Sequence, residues 1–152
     1  MLDRIEEIEN VWIPLADGVR LAARVWLPAD ARDNPVPAIL EYLPYRKRDF
    51  MRGRDEPIHR YFAANGYAAL RVDIRGSGDS DGVLHDEYSA QEHRDALEII
   101  DWIAAQPWCD GAVGMMGISW GGFNALQVAA LKPPPLKAII TLCSTDDRYA
   151  DD

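Results

Sequence analysis

Apolar positions along this chain follow two periods, and the switches between them divide it into strands and helices. Residues 9–15 and 20–27 read as β-runs, and Ala16-Asp17-Gly18 between them supplies the turn chemistry of a hairpin. In the second run Val25 and Leu27 alternate with Trp26, which suits a sheet edge with one wetter face. After the proline-rich loop 33–37, residues 38–42 are long enough only for a buried strand. A helix is predicted over 57–65, because proline is tolerated in a first turn and Gly66 can take the left-handed conformation that ends a helix.

Residues 67–74 read as the next strand, followed by the glycine-rich loop Arg75-Gly76-Ser77-Gly78-Asp79-Ser80-Asp81-Gly82. A longer helix opens at Ser89-Ala90-Gln91-Glu92, where hydroxyl and carboxylate can cap each other's backbone donors. Leu97, Ile100, Ile103 and Ala104 give it an apolar face at helical spacing, and Pro107 ends it. A buried strand at 112–117, a helix at 120–131 and a buried strand at 136–143 complete the pattern. Strands joined by helices of this length imply right-handed crossovers. The expected fold class is therefore α/β: a mostly parallel sheet with an N-terminal antiparallel hairpin and helices on both faces. With no repeat and no Gly/Ser linker, residues 1–152 are expected to form one domain or part of one. Because an apolar strand at 136–143 would leave an uncovered edge, the chain reads as cut short.

Composition narrows the partners. A formal net charge of −9 repels nucleic-acid phosphates and anionic lipids, so neither is expected as a partner. The basic stretch Arg46-Lys47-Arg48 is expected to be a solvated loop. The opening Met1-Leu2-Asp3-Arg4-Ile5-Glu6-Glu7 lacks the basic and apolar regions of a secretory leader, and no apolar run approaches a membrane span. A soluble, cytoplasmic protein is expected. Cys109 and Cys143 lack metal-ligand spacing and read as reduced, mostly buried thiols.

The chemistry lies in Gly117-Ile118-Ser119-Trp120-Gly121, a match to the G-x-S-x-G nucleophile elbow. Such a match arises by chance in about one chain in twenty of this length, so the context has to carry it. An elbow needs a buried strand before the serine, a helix after it and small residues between. Val113-Gly114-Met115-Met116 and Gly122-Phe123-Asn124-Ala125-Leu126 provide them. A serine that attacks a carbonyl also needs donors for the oxyanion. The backbone N–H of Trp120 is one. The loop after the third strand, Leu43-Pro44-Tyr45-Arg46-Lys47, lacks the glycines of an HGGG-type donor, which makes the Tyr45 hydroxyl the second candidate, unless its ring only packs under the loop.

Taken with Asp17-Gly18-Val19-Arg20-Leu21, Pro44-Tyr45, Asp73-Ile74-Arg75-Gly76 with Ser80 and Gly82, and Gln106-Pro107-Trp108-Cys109-Asp110-Gly111, this elbow resembles one family. It is the α/β-hydrolase family that groups cocaine esterase, X-prolyl dipeptidyl peptidase and α-amino-acid ester hydrolases. The resemblance implies a serine hydrolase with Ser119 as nucleophile, and Tyr45 and the Trp120 N–H as oxyanion hole. It also implies a helical cap and a C-terminal β-sandwich, neither of which this sequence contains. Trp120 stands where family members often carry tyrosine, which keeps the backbone donor and alters the pocket wall.

The triad of such enzymes runs Ser, Asp or Glu, then His along the chain. His59, His85 and His93 all precede Ser119, and Asp146 and Asp147 lie where a solvated loop is expected. The chain by itself is therefore expected to be nearly inactive. Esters, X-Pro peptides and amino-acid esters remain open as substrates, with a carboxylic ester preferred. No cofactor is expected: Gly76-Ser77-Gly78-Asp79-Ser80-Asp81 has Asp where a dinucleotide loop needs its last glycine, and Gly82 follows too soon for a calcium loop. A non-catalytic binding module and an acyltransferase on the same fold are the rival readings.

Overall fold

The hairpin predicted at the start of the chain forms the edge of a six-stranded sheet in a computed structural model that describes residues 5–49 and 51–151. The residues Met1 to Arg4, part of the reading against a secretory leader, lie outside that description. The elements are β1 (Ile5–Pro14), β2 (Arg20–Pro28), β3 (Val36–Leu43), α1 (Arg52–Ala64), β4 (Ala68–Asp73), α2 (Ala90–Ala104), β5 (Cys109–Ile118), α3 (Trp120–Leu131), β6 (Leu136–Leu142) and α4 (Arg148–Asp151). The sheet order is β1-β2-β4-β3-β5-β6. β1–β2 and β2–β4 are antiparallel, while β4–β3, β3–β5 and β5–β6 are parallel. The chain passes from β3 outward to β4, then crosses back to β5 on the other side of β3. In open α/β sheets, ligands bind outside the carboxyl ends of the strands at such a reversal.

Alternation along each strand sorts residues between two faces. Leu21, Ala23, Val25 and Leu27 of β2 and Leu40 and Tyr42 of β3 join Ala96, Ile99, Ile100 and Ile103 of α2 and Ala125 and Val128 of α3 in one apolar core. The opposite face carries Trp26 and Ala69 against Ala63 of α1. Beside α1 this second face is open, with an apolar groove of about 460 Å³ reaching Ala138 and Ile140 of β6. β6 is the uncovered apolar edge that the sequence pattern implies for this chain, and Ile140 and Leu142 are half exposed.

Helix α1 begins five residues earlier than predicted, so Pro57 lies inside it. The carbonyl that Pro57 leaves without a helical donor belongs to Gly53, an exposed residue with open space around it. What holds the extra turn is polar. Arg71 Nε donates to Asp55 Oδ2 at 2.9 Å, and Arg54 Nη1 donates to both Glu41 Oε1 and Asp55 Oδ1 at 2.9 Å, with Asp55, Glu41 and Arg71 all fully buried. The C-terminus of α1 follows expectation. Gly66 has φ +87°, and Tyr67 N–H donates to Phe62 O while Gly66 N–H donates to Ala63 O, the paired bonds of a Schellman end.

His59 completes the buried network, with Nδ1 2.8 Å from Asp55 O, Nε2 3.5 Å from Glu41 Oε2 and its ring stacked on Trp26. Burial pulls its pKa below the ordinary 6.5, against a smaller upward effect of Glu41. As the pH falls below 6.5 the unfolded chain therefore binds a proton before the folded one does, and stability drops. Between pH 7.5 and 5.5 the urea midpoint should fall further for the natural chain than for His59→Gln; equal falls would show that His59 titrates normally in the fold.

Two other expectations are corrected. Lys47 is not solvated: its side chain is fully buried and its Nζ donates to Asp79 Oδ2 at 2.6 Å. Of the two free thiols, only Cys109 is buried, whereas Cys143, at φ +52°, is exposed at the end of β6. Among the described residues, no helix is long and apolar enough to cross a membrane.

Candidate active site

Between the last residue of β5 and the first of α3 stands a single residue, Ser119, with φ +53° and ψ −116°. Few residues other than glycine tolerate that conformation, and holding it costs about 1–3 kcal/mol. The surroundings enforce it. Ser119 N–H donates to Leu142 O at 2.8 Å on the sheet side, and Phe123 N–H donates to Ser119 O at 3.0 Å on the helix side. The strand and helix approach so closely that a Cβ on Gly117 would lie 2.3 Å from the Gly121 carbonyl carbon, which is why glycine is required there. The Ser119 side chain is exposed, and although it occupies the N-cap of α3 it makes no capping hydrogen bond. Its hydroxyl is left available at the positive end of a twelve-residue helix.

The loop after β3 brings Tyr45 to the same place. Its hydroxyl oxygen accepts from the Trp120 backbone N–H at 3.4 Å, across 75 residues of sequence. Asp73, at the end of the neighbouring strand β4, fixes that loop. Its two carboxylate oxygens accept from Lys47 N–H at 2.8 Å and Asp79 N–H at 3.1 Å, clamping the Tyr45 loop to the glycine-rich loop. Burial raises the Asp73 pKa, and the two N–H donors oppose that rise. Ser77 Oγ donates to Pro44 O at 2.6 Å, adding a bond one residue before Tyr45. The carboxylates of the glycine-rich loop are engaged in ion pairs, Asp79 with Lys47 and Arg48, and Asp81 with Arg20.

The Trp120 side chain turns toward α2. Its Nε1–H donates to Glu92 Oε1 at 2.7 Å, and its ring lies 5.3 Å from that of Tyr88, which also packs against Phe123. Glu92 thus departs from the predicted capping box. Ser89 Oγ accepts its N–H as expected, but its carboxylate accepts from Tyr88 N–H, at 2.8 Å, instead of from Ser89.

Chain order set the histidines aside, and the surroundings of His59 and His93 give those two another occupation. His59 lies buried beneath α1, on the sheet face opposite the core that α3 covers. His93 is half buried with Nε2 2.6 Å from Gln127 Oε1, and His85 is exposed on the loop before α2. Asp146 and Asp147 are exposed, and Asp147 Oδ1 accepts from Ala150 N–H at the start of α4.

A sharp serine bend with two potential donors beside it is part, without a base, of what a serine esterase or peptidase needs. Residues 17–152 match the family profile described as X-Pro dipeptidyl-peptidase (S15 family). The chain belongs to the S15 family. Within it, cocaine esterase from Rhodococcus sp. is 38% identical over 143 residues, covering 92% of this chain and 24% of that protein. A CocE/NonD family hydrolase from Staphylococcus aureus superposes with a TM-score of 0.73 at 28% identity, over 89% of this chain and 26% of its own. An α-amino acid ester hydrolase superposes at 0.68, also at 28% identity, over 91% and 25%. The chain spans about a quarter of the length of the curated esterases it matches.

Sequence reasoning named Ser119, Tyr45 and Trp120, and the fold brings these three together. It passed over Asp73, Lys47, Asp79 and Glu92 as working parts. A carboxylate at the end of a buried strand was the available signal for Asp73. Glu92 carried none beyond its capping position, because its second partner lies 28 residues away.

Proposed function

We propose that this chain carries the nucleophile and oxyanion hole of a serine hydrolase that cleaves an ester or peptide acyl bond through an acyl-enzyme on Ser119. One observation carries the reading: the Tyr45 hydroxyl and the Trp120 N–H meet within 3.4 Å of each other, beside a serine held at φ +53°. Ser119 Oγ attacks the carbonyl carbon while a base takes its proton. The carbonyl oxygen becomes an oxyanion that accepts from Trp120 N–H and Tyr45 O–H. Collapse expels the alcohol or amine, which regains a proton, and water then releases the acid by the reverse sequence.

In this reading the base lies outside these 152 residues, since all three histidines precede Ser119 in the chain and His59 and His93 have partners elsewhere; relatives about four times as long have room for it. In the intact protein a small carboxylic ester or short peptide is the substrate, with no cofactor. By itself the chain is closer to a folded module than an enzyme. The same missing base favours this second reading for the 152-residue object.

Both statements are tested together. The purified chain should hydrolyse p-nitrophenyl acetate at nearly the buffer rate and react slowly with a fluorophosphonate. High imidazole, substituting for the absent base, should accelerate labelling at least about tenfold, in line with general base contributions of 10²–10⁴ reduced by poor positioning. Mass spectrometry should place the adduct on Ser119, and Ser119→Ala should abolish it. Labelling elsewhere, or none with imidazole, would exclude Ser119 as the nucleophile.

A further inference from the structure

Glu92 lies 4% exposed at the start of α2, remote in sequence from the elbow, yet it has more partners there than any capping role requires. One carboxylate oxygen takes the Trp120 indole N–H at 2.7 Å, and the other takes the Tyr88 N–H at 2.8 Å. Its own N–H is held by Ser89 Oγ at 3.2 Å, and its carbonyl accepts from the buried Tyr42 hydroxyl at 3.4 Å. Tyr88 sits at φ +53°, a conformation a bulky residue adopts only under constraint, and its ring packs on Trp120 and Phe123. A carboxylate with both oxygens used and its backbone tied on both sides is a rigid anchor.

We infer that Glu92 is a positioning residue for the oxyanion hole: by fixing the Trp120 indole against α2 it sets the direction of the Trp120 backbone N–H, and by holding Tyr88 it fixes the aromatic wall next to it. This rests on the proposed role of Trp120 as an oxyanion donor. The indole and the peptide N–H belong to one residue whose φ and ψ are shared between α3 and the bend. Releasing the indole loosens the first turn of α3 where the N–H has no helical acceptor. The anchor has a second consequence. With its N–H occupied by Glu92, the indole has no donor left to offer a ligand.

The probe is phenylboronic acid with the ¹⁵N-labelled chain. At equilibrium Ser119 Oγ bonds to boron, its proton passes to solvent, and a boron hydroxyl of the tetrahedral anion occupies the oxyanion position. Trp120 amide and indole resonances report the two ends of the residue separately. Glu92→Gln should move both in the free chain and weaken boronate binding about tenfold, the scale expected for a donor misplaced by a fraction of an ångström. In Trp120→Phe, which lacks the indole N–H, the same Glu92→Gln change should leave boronate affinity within twofold, as a coupling carried by the indole contact requires. Asp95→Asn, which weakens an ion pair from the same helix to Arg75 in the loop after β4, serves as control and should shift the urea midpoint without moving the Trp120 amide.

If Glu92→Gln moves the indole signal alone and boronate affinity stays within twofold, Glu92 is structural and the inference is overturned. An equal loss of affinity on the Trp120→Phe background overturns it as well. If boronate leaves the natural chain's Trp120 amide unmoved, it is the hydrolase reading that fails, and the response of the free amide to Glu92→Gln still decides whether Glu92 positions Trp120.

Discussion

Replacing Tyr45 by phenylalanine is expected to slow acylation or phosphonylation of Ser119 by about a hundred- to a thousandfold, or ~2.7–4 kcal/mol, the range for removing one oxyanion donor. The ring stays and only the hydroxyl is lost. Because that hydroxyl makes a single long bond, 3.4 Å to Trp120 N–H, its removal should leave the urea midpoint nearly unchanged. The measurement is the fluorophosphonate labelling rate at Ser119 in imidazole, for the natural chain and Tyr45→Phe side by side. A rate within twofold of the natural one would leave Tyr45 as a packing aromatic and give the Trp120 N–H a different companion. Loss of labelling together with loss of stability would instead point to the loop. Asp73 and Ser77 hold that loop through its backbone, so the side chain itself can change without freeing it.

That separation between what holds and what reacts also divides what the sequence makes legible from what it hides. The elements of the apolar core are readable because β2 and α2 present simple periods of two and of three to four, and because β3 and β5 are short apolar runs. The elbow is readable because steric demand at Gly117 and Gly121 leaves a spaced glycine signature. Helix α1 is misread at its start, since Arg52-Gly53-Arg54-Asp55-Glu56 has no apolar period and its first turn is fixed by partners on β3 and β4. Lys47 and Asp79, 32 residues apart, look like loop charges until the fold buries their contact. Polar residues whose partners are distant in sequence leave no periodic trace, and most of the positioning side chains here are of that kind.

The largest such effect on stability should come from Asp55→Ala. Asp55 is 1% exposed and pairs with Arg71 Nε at 2.9 Å and Arg54 Nη1 at 2.9 Å, while Arg71 is fully buried. Removing one partner of a buried pair strands the other charge, at a cost of about 3–5 kcal/mol. Glu41, with Oε2 3.8 Å from Arg71 Nε, can recover only part of it because it already serves Arg54 and faces His59. Urea denaturation followed by circular dichroism should show that loss, and replacing the pair together, Asp55→Leu with Arg71→Met, should restore much of it, because no charge is then left unpaired. The site should feel the single change too. Arg71 Nη1 donates to Leu43 O at 3.4 Å, two residues before Tyr45, and α1 anchors the far end of the loop that carries it. Asp55→Ala should therefore slow labelling of Ser119 under conditions where the chain is still folded. A loss below about 1 kcal/mol would mean that water reaches Arg71 when the carboxylate is gone and that the network carries no buried charge to strand.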